Sequence, residues 1–314
     1  MTLRRLVAIV GPTATGKSDI ALELARSHGG EIVNADSRQV YRGMDIGTAK
    51  PPLEARRKVR HHLYDIADPG DAYSLALYTK QAREVLEGLW ARGSFAWLVG
   101  GTGQYIWALL EDWTVPEVPP DEPLRQQLSE RAESEGPAAL HAELASIDPV
   151  AADRIDANNV RRVVRALEVH RHTGRPISEW QQKGEPDFEF LLFGVDLPNA
   201  ELEPRIDARV DAMFEAGFVD EVRSLLDGGL AADAPAMSAI GYREVARHIA
   251  GELTLDQARD ETIRATRRLV RRQRQWFRAD DPRIRWVRDA QDIDLEANIF
   301  TGACTNVIRG ASRG

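Results

Sequence analysis

The residues with the most evident chemistry are Gly11-Pro12-Thr13-Ala14-Thr15-Gly16-Lys17-Ser18, which fit the phosphate-loop pattern G-x-x-x-x-G-K-[ST]. Each position has a physical reason. The glycines let the backbone curl until successive N–H groups face one anion, and the helix that follows adds its positive end. Lys17 supplies a mobile cation, and the Ser18 hydroxyl is placed to hold Mg²⁺. Such a loop fixes a diphosphate or triphosphate with Mg²⁺ as ligand. It leaves open which molecule carries the phosphates and which bond breaks. A nucleoside-triphosphate hydrolase needs a carboxylate after an apolar strand as well, and two segments offer one. Phe190–Asp196 ends in Asp196, and Ile32-Val33-Asn34-Ala35-Asp36 runs directly into Ser37-Arg38-Gln39-Val40-Tyr41. An acid at the carboxyl end of a strand beside the loop-bearing strand lies where α/β sheets bind ligands.

The elements needed to position these groups are legible around them. Leu6–Val10 is a continuous apolar run of the kind a strand buried on both faces requires, and Ile20, Ala21, Leu24 and Ala25 give the next helix an apolar face. Ile32–Ala35 and Phe95–Val99 read as further strands. Ser74 reads as the cap of a helix running to about Ala91. Alternating strand and helix predicts an α/β fold with a parallel-sheet core like that of phosphate-loop NTPases. Four prolines within Val115–Pro123 mark a boundary. An acidic, helix-patterned stretch follows, with Pro137 and Pro149 at helix starts, and Glu189–Val195 reads as a return to the sheet. The expected organisation is a core over 1–114, a mostly helical insertion over 115–185, a return to the core with basic helices over 186–300, and a flexible tail over 301–314.

Composition excludes several classes. With 43% hydrophobic and 29% charged residues among 314, the chain is a globular protein with ample core. Cys304 is the sole cysteine, so no disulfide framework or cysteine-based zinc site is expected. The apolar run Leu6–Val10 is too short for a membrane span or a signal-peptide core, so a cytoplasmic protein is expected. Net charge is −8, which by itself argues against nucleic acid as a partner. Its placement argues the other way. Only five of the 41 cations are lysines, and Thr262–Arg278 holds seven arginines and no acid. Asn158–Arg175 holds five arginines against Glu168 alone. Like charges three or four apart on a helix repel and call for an anion, and arginine forks suit phosphate. His61, His62, His170 and His172 have no partners that would complete a metal set and read as packing or surface groups. Trp97, Trp107, Trp113 and Trp180 read as core or pocket lining.

Beyond the loop, Asp36-Ser37-Arg38-Gln39-Val40-Tyr41-Arg42-Gly43-Met44-Asp45-Ile46-Gly47-Thr48-Ala49-Lys50-Pro51 resembles the tRNA dimethylallyltransferase (tRNA isopentenyltransferase) family, bacterial type. So do Gly100-Gly101-Thr102-Gly103-Gln104-Tyr105, Gly217–Val222, Ile240–Glu244 and Arg271–Arg278. The resemblance covers nearly the whole chain, to about Trp286.

It implies transfer of a dimethylallyl group from dimethylallyl diphosphate to N6 of the adenosine 3′ of the anticodon, in tRNAs reading codons that begin with U. By family position Asp36 would be the general base, with Lys17, Thr13, Arg209, the loop amides and Ser18-bound Mg²⁺ on the diphosphate. RNA contacts would fall on Asp36, Ser37, Arg38, Gln39, Thr102 and Arg125. They would also fall on the segment Arg161-Arg162-Val163-Val164-Arg165 and the turn Gly241-Tyr242-Arg243. Gln39 would offer both donor and acceptor to a base edge, and the insertion would grip the anticodon stem of a tRNA bound by a monomeric enzyme. Two positions depart from the family, with Thr15 for a common Ser and Asn159 for a frequent Asp before the basic helix. A small-molecule kinase accounts for the loop but not for the Asp36–Pro51 block or the arginine stripes. A non-catalytic RNA-binding protein accounts for the stripes but not for the presence of Lys17, Ser18, Asp36 and Arg209.

Overall fold

The computed structural model describes residues 4–180 and 182–301. In chain order the elements begin β1 (Arg5–Val10), α1 (Lys17–His28), β2 (Glu31–Asn34), α2 (Leu53–Lys58), β3 (His61–His62), α3 (Leu75–Ala91), β4 (Ala96–Gly100) and α4 (Gly103–Leu110). Five helices follow, α5 (Glu122–Glu135), α6 (Pro137–Ile147), α7 (Pro149–Arg154), α8 (Val160–Thr173) and α9 (Ile177–Trp180). The chain continues through β5 (Glu189–Val195), α10 (Asn199–Glu215), α11 (Phe218–Asp227), a 3₁₀ turn at Pro235–Ser238, α12 (Tyr242–Ile249), α13 (Leu255–Trp276), β6 (Arg285–Val287) and α14 (Ala290–Thr301). No helix among the described residues is long and apolar enough to cross a membrane.

Two compact units result. The first comprises Met1–Ser74, Tyr78–Leu110 and Asp187–Gly314, the second Leu75–Leu77 and Glu111–Pro186. The first holds one six-stranded sheet in the order β3-β2-β4-β1-β5-β6, parallel throughout. Its centre is β1, with Val7 opposite Trp97 on one side and Leu191 on the other. Leu6 to Val10 are wholly buried, as the unbroken apolar run requires. The α1 face Ile20, Ala21, Leu24 and Ala25 packs on Val7, Ile9, Ile32, Trp97, Val99 and Phe193, and Ile293 and Ala297 of α14 join that core. Of the tail expected over 301–314, Thr301 belongs to α14. The rest of that stretch, with Cys304, lies outside the described residues.

A second core lies beside the sheet. Val40, Tyr41 and Met44 pack with Phe218, Val222, Met237, Tyr242 and Val245 of α11, the 3₁₀ turn and α12. Glu221 fixes this arrangement. Its carboxylate accepts the amides of Asp45, Ile46 and Gly47 at 2.9, 2.7 and 3.1 Å, and the Tyr242 hydroxyl at 2.6 Å. The Asp36–Pro51 segment is thereby a rigid shelf, although it contains no helix or strand.

In the second unit, Leu128, Leu140, Leu144, Val163, Val164 and Leu167 form the core of α5, α6 and α8. Asp121, Asp148 and Asn159 cap α5, α7 and α8 through bonds from the amides of Leu124, Ala151 and Arg162. Asn159 thus does the capping that an Asp would do there.

Candidate active site

The loops after β1, β2 and β4 meet at one edge of the sheet. The approach is so close that side chains are excluded at two positions. A Cβ on Gly11, whose φ is +140°, would lie 2.1 Å from the Val195 carbonyl oxygen, and one on Gly100 would lie 2.1 Å from that of Ala35. Thr102 then ties two loops together. Its amide donates to the Ala35 carbonyl at 3.2 Å, and its hydroxyl accepts the Ser37 amide at 3.0 Å.

A cavity of about 190 Å³ opens at this edge, within the first unit. Thr13, Gly16, Lys17, Ser18, Asp36 and Arg209 give it a polar side. Leu22, Ile32, Pro51, Pro52, Ala55 and Val99 give it an apolar one. The volume falls below the roughly 300–1,000 Å³ typical of drug-sized ligands. Site polarity and size together fit a small molecule with a phosphorylated head and a short apolar tail.

Within the loop, Thr15 is buried and donates to the Pro12 carbonyl at 2.9 Å, and Lys17 Nζ donates to the same oxygen at 2.9 Å. Burial lowers the Lys17 ammonium to about 8; Arg209 pushes it the same way, and Asp36 opposes them. Burial likewise lowers Arg209, while Asp36 and Asp19 hold it up. Asp36 follows β2, and its Oδ1 accepts the Arg38 amide at 2.8 Å, which fixes the turn. Arg209 stands on α10, whose Leu202, Ile206 and Val210 pack against Ile263 and Val270 of α13. One residue round from that seam, Arg209 reaches the cavity.

The two carboxylates of the sequence reading have different surroundings. Asp196 is bound on both oxygens by Arg274, at 2.7 and 2.9 Å, and takes no part in lining the cavity. Asp36 lines it. Several residues without an assigned role also belong here. Gln273, buried on the inner face of α13, accepts the Thr13 amide at 2.9 Å and donates to the Gly101 carbonyl at 3.0 Å. Tyr64 lines the cavity between Leu63 and Asp65, both at positive φ (63° and 55°). Burial, then the charge of Asp36, push its hydroxyl well above the ordinary tyrosine range. Lys50 is buried, with its ammonium on the Tyr41 carbonyl and on Asp45 and Asp65. Membership of the Arg271–Arg278 block was the only sequence signal for Gln273, and Tyr64 carried none.

The candidate RNA contacts divide. Asp36, Ser37, Arg38 and Thr102 lie together at the sheet edge. Gln39 has less to offer than expected, because its amide nitrogen already donates to the Thr48 and Ala49 carbonyls at 3.0 and 3.2 Å. Only its oxygen remains. Gly241, at φ +90°, starts α12; Arg243 is exposed, but Tyr242 is fully buried against Glu221.

In the second unit Arg161 and Arg162 of the expected contact segment are exposed, whereas the side chains of Val163 and Val164 face its core. Arg125 and Arg165 both bind Glu168, whose side chain is wholly buried. Arg171 pairs with Glu143 and Arg175 with Glu179, so the +4 of that helix is largely answered locally. The same holds for part of α13. Arg267 pairs with Asp207, Arg274 with Asp196 and Arg278 with Asp280. Arg264, Arg268, Arg271 and Arg272 remain exposed, without a carboxylate partner among the described residues.

Sheet and loop define an α/β protein of the phosphate-loop type, with a cavity lined by the loop and a carboxylate. The chain belongs to the IPP transferase family, whose model matches residues 39–280, and a second model, for isopentenyl transferase, matches residues 4–66. A tRNA dimethylallyltransferase from Thermomicrobium roseum is 50% identical over 273 residues, covering 87% of this chain and 83% of its own. The full-length tRNA isopentenylpyrophosphate transferase from Bacillus halodurans superposes with a TM-score of 0.69 at 37% identity, over 99% of this chain and 100% of that one. A eukaryotic dimethylallyltransferase, solved acting on tRNA, gives a TM-score of 0.77 at 27% identity, over 91% and 74%.

Proposed function

We propose that this protein transfers the dimethylallyl group of dimethylallyl diphosphate to N6 of the adenosine 3′ of the anticodon, in tRNAs reading codons that begin with U. One observation carries the reading: Asp36, Lys17 and Arg209 line a single cavity that also has an apolar wall. The amine lone pair attacks the allylic carbon, the carbon–oxygen bond breaks, and its electron pair leaves on the diphosphate. Nitrogen becomes cationic as it bonds, and Asp36 takes its proton. Lys17, Arg209 and the loop amides meet the charge gathering on the leaving group.

Ser18, exposed to the cavity on the first turn of α1, is a hard oxygen donor of the kind Mg²⁺ takes. No cluster of three or more His, Cys, Asp or Glu exists among the described residues, so the fit is to an ion carried mainly by substrate phosphates and water. When bound, Mg²⁺ neutralises charge on the departing diphosphate. In the second unit, Arg161 and Arg162 with the Arg125–Glu168–Arg165 cluster would hold backbone phosphates of the anticodon stem. One chain supplies every residue around the cavity, so we expect a monomer, working in the cytoplasm where its RNA is found.

The test is direct. Purified protein with Mg²⁺, labelled dimethylallyl diphosphate and an anticodon stem-loop should label the RNA on the target adenosine. ATP turnover on a metabolite with no RNA labelling would sink the proposal and favour a kinase.

The lowered Lys17 gives a pH signature. Below about 8 the free protein already carries the ammonium that a diphosphate requires. Above that pH the lysine is neutral until the ligand restores its proton, so binding becomes coupled to proton uptake. The KM for the donor should stay level from pH 7 to 8 and then rise, approaching about tenfold per pH unit. A KM level to pH 9.5 would mean that Lys17 does not meet the diphosphate.

A further inference from the structure

Among the described tryptophans, Trp276 alone stands with the exposed large apolar side chains, at 39% exposure. Trp97, Trp107 and Trp90 are inside the core. Its place is specific. On α13 the spacing of four residues puts Arg264, Arg268, Arg272 and Trp276 on one solvent-facing ridge, flanked by exposed Arg271 and Gln275. The three arginines of this ridge and the flanking Arg271 are those without a carboxylate partner among the described residues.

The far end of the ridge meets the site. The root of the Trp276 side chain lies against Gly103, where an added Cβ would come within 2.2 Å of its ring. Gly103 follows Thr102, whose hydroxyl holds the Ser37 amide beside Asp36. The Trp107 ring donates to the Trp276 backbone carbonyl at 3.0 Å, which fixes this end of the helix without using the indole.

An exposed indole at the end of an unneutralised arginine row has the composition of a platform for single-stranded nucleic acid. The cations track phosphates, and the ring takes a base. We infer that Trp276 stacks on an unpaired base of the anticodon loop next to the adenosine that enters the cavity, and so holds the loop open around the extruded nucleotide. A protein partner is disfavoured because the ridge itself carries only positive charge. The inference rests on the proposed function and deepens it.

Anticodon stem-loops carrying 2-aminopurine on either side of the target adenosine report stacking by loss of fluorescence. The wild-type protein should quench one of the two positions. Trp276→Ala should release that quenching and weaken RNA binding by about 10- to 100-fold. The slope of log affinity against log salt should not change, because no phosphate contact is lost. The KM for dimethylallyl diphosphate should also hold, and Trp276→Phe should keep most of the quenching and affinity. Unchanged quenching in Trp276→Ala, a donor KM rising in step with the RNA KM, or a Phe variant as poor as the Ala one would each overturn the inference. If the wild-type protein labels the RNA and Trp276→Ala is indifferent, only this inference falls. If the wild type binds the stem-loop without labelling it, the proposed reaction falls instead.

Discussion

Asp36→Asn should lower the rate of transfer by about 10²–10⁴-fold, the range for loss of a positioned general base. Its affinity for the stem-loop should stay within about a factor of two or three, because the amide matches the acid in shape and keeps the bond from the Arg38 amide. Asparagine is the informative replacement. Its side-chain oxygen still accepts the Arg38 amide that Asp36 now takes at 2.8 Å, so the turn leading to Gln39 is kept. Alanine would remove the proton acceptor and the turn together. Asp36 also helps keep Lys17 protonated. In Asp36→Asn, therefore, the pH at which the donor KM begins to rise should move below 8. Single-turnover rates and RNA binding measured side by side check this. Equal losses in both would show that Asp36 holds RNA rather than a proton.

Arg209→Ala should cost about 10²–10³-fold in kcat, as removal of one donor to a developing anion does. It carries the opposite pH signature. Arg209 pushes Lys17 down, so without it the lysine keeps its proton to higher pH and the rise in donor KM should begin above 8. Arg209→Lys should recover only part of the rate, because an ammonium lacks the fork that binds two oxygens at once. A kcat unchanged in Arg209→Ala would place the guanidinium outside the reaction. The two variants move one pH profile in opposite directions, which a general loss of structure would not do.

The sheet was legible because its central strands are buried on both faces. Leu6–Val10 and Glu189–Val195 are continuous apolar runs, and the structure places them at Arg5–Val10 and Glu189–Val195. The edge strand β3 was not, since a strand consisting of His61 and His62 presents no apolar run. Pro137 and Pro149 marked the starts of α6 and α7 for an equally local reason. What escaped the sequence depends on distant neighbours. The arginines of α13 are repetitive in sequence, yet Asp207 and Asp196, which answer two of them, lie some sixty or more residues earlier. Periodicity along one helix cannot show that. A contact segment carried over whole likewise does not show that helix geometry turns the side chains of Val163 and Val164, two of its five residues, inward. In the site, Asp36 and Lys17 had motif signals; Gln273 and Tyr64 acquire meaning only once the chain has closed around the cavity.

Gln273 also bears on how the molecule is made. The phosphate loop ends at Ser18, but the side chain that bonds the Thr13 amide follows that amide by 260 positions. The strand beside β1 on its far side, β5, arrives some 180 residues after β1 itself. A nascent chain stopped before α13 therefore carries every loop residue without the brace that joins Thr13 to Gly101. The finished geometry of the loop is thus acquired late in synthesis, and a truncated chain with an intact phosphate-loop motif lacks the bonds that tie Thr13 to Gly101.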